Sequence, residues 1–454
     1  MAVINTKAAK APTYTWAWIT TGILAIAMVI SFIDRFALSL LVEPIKSSLA
    51  ISDTQIGLLH GLAFGLFYSI LGIPCGWLAD KWSRTGTILL GMLVWCLTTA
   101  ACGLAGSFAG LLFARMLVGA GEAALAPAAY ALIYERFPKA ILNRALTLFQ
   151  AGAVVGAGTA FYIVGDIYDW LEPIGVIDFG FLGKRDPWQT TFLIVAVPGL
   201  VLLPILWWVL NRPIDTALST PSEPSEPVVD SSRIGMKVIP YLIEDRACIA
   251  AVFFGMSGLL TMSYALLTWI PAIFVREFQW APGEIGRIYG AVVLFSSIGG
   301  MFVAAWIADR IANRVGSVFS SLRVPLFAGV LALPAAVMFL LASGPVQVLV
   351  ACGALHALCT SSIGIVPAFI QRRSPQEIRS RVSALYVMVV NICGLAVGPI
   401  LVGSVVALLG GSATALRTAV FIVGGGGMVI SVITLGLFLR RPSPSRSVPA
   451  RRPV

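Results

Sequence analysis

Gly76-Trp-Leu-Ala-Asp-Lys-Trp-Ser-Arg84 and Ala305-Trp-Ile-Ala-Asp-Arg-Ile-Ala-Asn-Arg314 are two versions of one charged segment. They close the two copies of a repeat in which residues 55–81 align with residues 284–310, displaced by 229 positions. The matching residues are Ile56, Gly57, Gly61, Trp77, Ala79 and Asp80 with Ile285, Gly286, Gly290, Trp306, Ala308 and Asp309. Such self-similarity indicates an internal duplication, and the apolar stretch before each charged segment places the duplication in a membrane protein.

The composition requires a lipid environment, since 58% of the residues are hydrophobic and only 11% are charged. A bilayer core of about 30 Å is crossed by roughly 20 apolar residues in a helix. Twelve apolar runs meet this condition, near 16–42, 54–79, 86–106, 109–134, 143–165, 190–210, 247–274, 283–308, 322–342, 345–369, 380–408 and 414–439. We therefore predict an all-α integral membrane protein with twelve transmembrane helices in two pseudo-symmetric six-helix bundles.

The net charge is +10, and most of the basic residues lie in the loops on one side of the membrane. This one-sided distribution argues against a nucleic-acid partner. Most basic residues fall at the termini or in even-numbered loops, namely Lys7, Lys10, Lys81, Arg84 and those within 136–144, 212–246, 310–323, 372–381 and 440–452. The odd-numbered loops carry Lys46, Lys184, Arg185, Arg276, Arg287 and Arg417. The positive-inside rule therefore predicts that both termini are cytoplasmic.

The domain organisation follows from a drop in hydrophobicity after Asn211, where the sequence includes Pro221-Ser-Glu-Pro-Ser-Glu-Pro227. Such a polar tract buries too little apolar surface to fold alone. We predict an N-terminal bundle over 1–211, a cytoplasmic linker over 212–240, a C-terminal bundle over 241–440 and a basic cytoplasmic tail over 441–454. A second polar segment, 166–188, is expected either to cap the outer mouth or to form an unstructured loop.

The cysteines and short motifs give no sign of a cofactor. All seven cysteines lie in predicted spans without a Cys-x-x-Cys pair, so neither disulfides nor a zinc or other metal site is expected. No Walker sequence or nucleophile elbow is present, which argues against ATP hydrolysis and covalent catalysis.

The two charged segments resemble the signature of the major facilitator superfamily, in which a small residue, an aspartate and basic residues form cytoplasmic turns. The resemblance covers almost the whole chain and implies a cytoplasmic gate built from the two turns: Asp80, Lys81 and Arg84 in the first, and Asp309, Arg310 and Arg314 in the second. A carboxylate near a helix N-terminus stabilises it by about 0.3–1 kcal/mol, enough to bias a conformational equilibrium. The second turn departs from the first in two ways. Ala305 stands where the first turn has Gly76, and Arg314 follows its aspartate one position later than Arg84 does in the first turn.

Within that superfamily the chain is similar to the spinster group. The similarity rests on Trp82-Ser83-Arg84, on Asp34-Arg35 in span 1, and on Arg115-x-x-x-Gly119-x-Gly121-Glu122-Ala123 in span 4. It implies transport of a lysophospholipid or a sphingosine phosphate.

Four ionisable residues, Asp34, Arg35, Arg115 and Glu122, lie within the predicted spans of the first half. A charge at the bilayer centre costs about 2.5–3.5 kcal/mol on insertion scales, so such residues usually face a cavity and mark a transport path. The spacing places Arg115 and Glu122 on one stripe of span 4, whereas Asp34 and Arg35 point in different directions.

Our hypothesis is that Asp34 and Glu122 take up and release protons. Arg35 and Arg115 would stabilise the ionised carboxylates and compete for an anionic headgroup. The alternative is that the four residues form static ion pairs that fix span 1 against span 4.

The second half offers only uncharged polar residues to a central cavity, of which we select Tyr264 and Asn391 as substrate-binding candidates. Tyr162 in span 5 is a further candidate for the headgroup, from its approximate placement in the spinster-like pattern. A charged half opposite an apolar, hydroxyl-bearing half suits an amphipathic molecule.

Together these features predict a proton-coupled secondary transporter of a lipid-like amphiphile, working by alternating access as a monomer among membrane lipids in a bacterial inner membrane. A transporter of small organic anions or drugs is the first alternative. An integral membrane lipid enzyme and a non-transporting sensor are the others.

Overall fold

The computed structural model describes residues 14–180, 183–212, 231–315, 318–375 and 378–440. In this part of the chain twelve helices are long and apolar enough to cross a membrane. Spans 1 to 12 are Thr15–Leu40, Asp53–Lys81, Arg84–Leu104, Phe108–Arg136, Arg144–Leu171, Pro187–Leu210, Arg246–Phe278, Pro282–Ile311, Phe319–Leu341, Pro345–Arg373, Arg381–Leu408 and Thr414–Leu439. Each coincides with one predicted apolar run, which confirms the predicted fold class.

Serine side chains begin several of these helices. The Ser83 hydroxyl accepts a hydrogen bond from the backbone N–H of Gly86 at the start of span 3, and Ser107 does the same for Gly110 at the start of span 4. Ser52 and Gln55 form a capping box at the start of span 2. These caps satisfy N–H groups that have no partner within the helix, so the helix starts are fixed by local sequence.

Four spans are interrupted near the middle of the fold. Span 4 breaks between the helices Phe108–Glu122 and Leu125–Arg136, and span 10 between Pro345–Thr360 and Ile365–Arg373. Span 2 contains the π-helical turn Leu59–Leu66 between Asp53–Leu58 and Phe67–Lys81. Span 11 contains the π-helical turn Ile392–Val397 between Arg379–Asn391 and Gly398–Leu408. The two π-helical turns pack against each other across the halves, and such turns are frequent at functional sites.

The connecting segments differ from the sequence expectation in two places. Span 5 is part of the helix Lys139–Leu171, which continues beyond the predicted end at 165 and is followed by the strand pair Ile177–Asp178 and Lys184–Arg185. The helix Ser231–Glu244 lies mostly inside the range predicted as a linker. The tract 221–227 and the tail 441–454 lie outside the described residues. The remaining elements are the helices Val42–Leu49, Arg246–Phe278, Pro282–Val315, Arg323–Leu341 and Ala413–Leu439 and the 3-10 turn Val318–Leu322.

We call the side of the protein that carries the loops after spans 1, 3, 5, 7, 9 and 11 the odd-loop face, and the opposite side the even-loop face. On the odd-loop side, glycines of the repeat bring the halves together. Gly57 of span 2 lies against the Pro399 carbonyl of span 11, 2.6 Å from where a Cβ would stand. Its repeat counterpart Gly286, in span 8, lies against the Phe161 carbonyl of span 5. The two halves therefore meet through two pseudo-symmetric interfaces, 2 with 11 and 8 with 5.

Candidate functional site

Arg35 and Glu122 form a buried ion pair between spans 1 and 4. The Arg35 Nη2 lies 2.8 Å from Glu122 Oε2, and both side chains are almost completely buried. The Ser31 hydroxyl, one turn earlier in span 1, donates a 2.7 Å hydrogen bond to the same carboxylate oxygen. The ion pair and this hydrogen bond together tie the end of the first helix of span 4 to span 1.

Three aromatic rings surround the Arg35 guanidinium. Its central carbon lies 4.4 Å from the ring centre of Phe32, 4.9 Å from Phe64 and 4.5 Å from Tyr68. Phe64 lies in the π-helical turn of span 2, and its ring stacks on that of Tyr68 at 5.7 Å. We call these three rings the ring cage. A cation held at this distance from aromatic faces is attracted by their quadrupoles, so the cage and Glu122 favour a positive charge at the same point.

Arg115 binds the backbone of span 1. Its Nη1 and Nη2 groups donate to the carbonyl oxygens of Asp34 and Arg35, each at 3.4 Å. Its guanidinium also lies over the Phe64 ring at 5.0 Å, and the residue is 1% exposed. Both hydrogen bonds are long, and Nε has no partner in the part of the chain that the structure describes, so Arg115 retains capacity for a stronger acceptor.

Asp34 lies on another side of span 1 from Arg35, as the sequence predicted, and faces span 3. Its Oδ2 accepts a 3.3 Å hydrogen bond from the Thr99 hydroxyl, whereas Oδ1 is buried and has no hydrogen-bond partner among the described residues. Within the described parts of the chain, no basic side chain lies within salt-bridge distance of Asp34. An ionised carboxylate that is fully buried without a paired cation is costly, so Asp34 is held in an energetically unfavourable environment for a charge.

The second half supplies part of the surroundings. Tyr264 of span 7 lies close enough to Arg35 to interact with it electrostatically, and its ring lies next to Gly394 in the π-helical turn of span 11. Asn391, partly buried, immediately precedes that turn. Tyr162 is placed apart: its side chain is half-exposed on span 5 and is in electrostatic reach of Arg287. The structure therefore brings Tyr264 towards the charged site but not Tyr162.

A cluster of charges that the sequence analysis did not select joins the halves on the odd-loop face. Arg276 of span 7 pairs with Glu43 at 2.6 Å and with Asp53 at 2.5 Å, and Lys46 pairs with the same Asp53 oxygen at 2.7 Å. We call these four residues the Arg276 lock. Arg276 and Lys46 are among the basic residues that depart from the positive-inside pattern. This departure is the feature of the sequence from which the cluster could have been predicted.

A second ion-pair group lies between spans 5 and 8 on the same face. The Arg287 guanidinium lies 2.6 Å from Asp166 and 3.7 Å from Asp169. Asp169 also accepts a 2.8 Å hydrogen bond from the backbone N–H of Gly283. Both interfaces between the halves therefore end in charged contacts on the odd-loop face.

The turns predicted to form a gate lie apart on the even-loop face. Asp80, Lys81, Asp309, Arg310 and Arg314 are exposed. Arg84 pairs with Glu135 of its own half, and Arg310 lies over the ring of Trp306 in its own span at 3.8 Å. In the described residues, none of the six has a hydrogen bond or ion pair to the opposite half. The gate is thus not assembled here, and its role stays a prediction.

A buried polar pair lies in the second half. The Tyr289 hydroxyl of span 8 and His356 Nε2 of span 10 are 2.8 Å apart, and both residues are fully buried. The Tyr289 ring also contacts Phe161 of span 5, with ring centres 5.0 Å apart. His356 therefore has a hydrogen-bonding partner across the interface between spans 8 and 10.

A family model described as "Major Facilitator Superfamily" matches residues 24–395. The chain belongs to the Major Facilitator Superfamily. Among its relatives is an "MFS-type efflux pump" of Mycolicibacterium smegmatis, 28% identical over 85% of this chain and 84% of the relative. A "Hexuronate transporter" of Bacillus subtilis is 26% identical over 92% of this chain and 93% of its own.

Among solved structures, a bacterial homologue of the human lysosomal transporter spinster, inward-facing and occupied, superposes with a TM-score of 0.79 at 21% identity. The alignment covers 97% of this chain and all of the other. This likeness shows that the two chains share one fold. As a Major Facilitator Superfamily member with twelve spans, the chain is a membrane transporter and not an enzyme. A bacterial inner membrane is the location that these findings support.

Proposed function

We propose that this superfamily member is a proton-coupled secondary transporter of a lipid-like amphiphile of the lysophospholipid or sphingosine-phosphate type. The observation that carries the proposal is the buried site of Asp34, Arg35, Arg115 and Glu122 inside the first half. Such charges are retained within a membrane protein where they serve a substrate or ion path.

The amphipathic nature of the substrate is supported by the contrast between the halves. Arg35 and Arg115 provide two cations for an anionic headgroup, whereas the second half presents Tyr264 and Asn391 among apolar side chains. An acyl chain is accommodated by an apolar surface of this kind. The fold likeness to the spinster homologue and the relationship to an efflux pump are consistent with such a substrate.

Proton coupling is assigned to Asp34 and Glu122, which are held differently. Glu122 is paired with Arg35, whereas Asp34 lacks a basic partner among the described residues. A carboxyl without a counter-ion exchanges its proton when the surroundings rehydrate. Asp34 would therefore carry the proton, and Glu122 would also take up a proton whenever Arg35 moves away.

Alternating access would use the two faces in turn. The Arg276 lock and the glycine contacts close the odd-loop face, and opening it requires that the turns at Asp80 and Asp309 approach the opposite half. With the even-loop face cytoplasmic, as the positive-inside rule predicts, closure of the odd-loop face would correspond to an inward-facing state. The transport unit is the monomer.

The test is uptake of a radiolabelled lysophospholipid into proteoliposomes driven by a pH gradient. Asp34→Asn and Glu122→Gln should abolish gradient-driven uptake, while exchange of substrate without a gradient should persist in Asp34→Asn. Asp178→Asn, which changes an exposed loop carboxylate, is the matched control and should behave as the unaltered protein. Full gradient coupling in both site variants would refute the proton assignment.

A second candidate is transport of a small organic anion, favoured by the relationship to the hexuronate transporter. The same two arginines would hold a carboxylate. Competition separates the candidates: excess hexuronate should leave lysophospholipid uptake unchanged under the leading proposal, and should suppress it if the site takes small acids.

A further inference from the structure

The ring cage and Glu122 form a site for a cation, and that site is filled by the protein's own Arg35. The guanidinium lies within 5 Å of three ring centres and 2.8 Å from a buried carboxylate. Aromatic rings around a carboxylate are the surroundings in which alkylammonium groups bind. We propose that the substrate's ammonium group replaces the Arg35 guanidinium in this cage, and that the displaced guanidinium pairs with the substrate's anionic group. The inference rests on the proposed function and concerns the same site.

The charges favour an exchange of ion pairs. Arg35 and Glu122 are both buried, and separating them without new partners leaves two uncompensated buried charges, which is strongly unfavourable. A zwitterionic headgroup supplies a partner to each: its phosphate to Arg35 and its ammonium to Glu122. A purely anionic headgroup leaves Glu122 unpaired, and a purely cationic one leaves Arg35 unpaired.

Unpartnered atoms are present on both sides of this exchange. Among the described residues, Oε1 of Glu122 is buried and accepts no hydrogen bond, and Nε of Arg35 and Nε of Arg115 are buried and donate none. Glu122 therefore has a vacant acceptor for an ammonium N–H, and the two arginines have vacant donors for phosphate oxygens. Arg115, held only by long bonds to backbone carbonyls, is placed to share the phosphate with Arg35.

The experiment measures equilibrium binding of tritiated lauroyl lysophosphatidylcholine, below its micelle concentration, to the full chain in nanodiscs. Lauroyl lysophosphatidic acid, which lacks the ammonium, and dodecyltrimethylammonium, which lacks the phosphate, serve as competitors. We expect each competitor to bind about tenfold more weakly than the zwitterion at neutral pH. Tyr68→Leu should weaken the binding of lysophosphatidylcholine about fivefold because the ring is lost, and the matched Tyr68→Phe should leave this binding unchanged.

Phe32→Leu gives a second test of the cage and is used if Tyr68→Leu does not fold. The inference is overturned if lysophosphatidic acid binds as tightly as lysophosphatidylcholine, or if the preference for lysophosphatidylcholine is unchanged by loss of a cage ring. Saturable uptake of lysophosphatidic acid by proteoliposomes would then leave the proposed function standing. Absence of saturable uptake of either lysolipid would remove the proposed function as well.

Discussion

Gly61 in span 2 and Gly290 in span 8 are related by the internal repeat, and each lies directly against a backbone carbonyl of the opposite half. Gly61 faces the carbonyl of Ala396, and Gly290 faces that of Gly158, 2.5 Å from where a Cβ would stand. Closure of the odd-loop face therefore depends on the absence of a side chain at equivalent points of both repeats.

Replacement of Gly61 by leucine should prevent this closure. The added side chain meets backbone, which cannot move aside as a flexible side chain can, and overpacking of this kind costs about 1–3 kcal/mol. Transport should fall sharply, and the equilibrium should shift to a state open on the odd-loop face. Electron–electron distance measurements between spin labels at Ser47→Cys and Gln279→Cys, exposed on opposite halves, report that opening.

Gly72→Leu is the matched control for this variant. Gly72 lies in the same span, but nothing stands within 4 Å of its Cβ position. Both variants are measured with Cys75 and Cys393, the two partly exposed cysteines, replaced by serine. If the two leucine variants show the same distance distribution, steric closure by Gly61 is wrong.

Arg276→Gln should weaken closure of the odd-loop face more than Arg287→Gln. The Arg276 side chain is 12% exposed and bridges Glu43 and Asp53, whereas that of Arg287 is 46% exposed. Removing charged hydrogen bonds from a partly buried cluster costs about 1–3 kcal/mol, while an exposed ion pair contributes about 0–1 kcal/mol. The same spin-label distance should therefore lengthen in the first variant and change little in the second. The reverse order would show that the Arg276 lock does not hold the halves.

Glu122→Gln should destabilise the protein by about 3–5 kcal/mol, because Arg35 is left buried without its counter-charge. The double variant Arg35→Gln with Glu122→Gln should recover much of this loss, since no lone charge remains. Asp34→Asn should change stability little, because the acid already lacks a paired cation in the described structure. Thermal unfolding in nanodiscs measures all three, and an additive double variant would show that the two residues are not coupled.

Tyr289→Phe should lower the free energy of unfolding by about 1–3 kcal/mol. The variant leaves the buried His356 Nε2 without its 2.8 Å partner, while the ring keeps its contact with Phe161. His356→Leu in the same background should restore part of the stability by removing the unpaired nitrogen. Thermal unfolding again provides the measurement. No loss in the single variant would mean that the pair contributes nothing to the packing of spans 8 and 10.

The sequence alone determined the twelve spans and the identity of the buried charges, because apolar run length and capping serines act over short separations. The match between residues 55–81 and 284–310 established the duplication. The sequence also indicated that Asp34 and Arg35 point apart, which follows from helical geometry alone. Only the tertiary structure decided the partners: Arg35 meets Glu122 across 87 positions, Arg276 meets Asp53 across 223, and Asp34 faces Thr99 instead of an arginine. These pairings depend on the register between helices, which is set by packing around glycines such as Gly61 and Gly290 and by the π-helical turns, and no periodicity within one helix encodes that register.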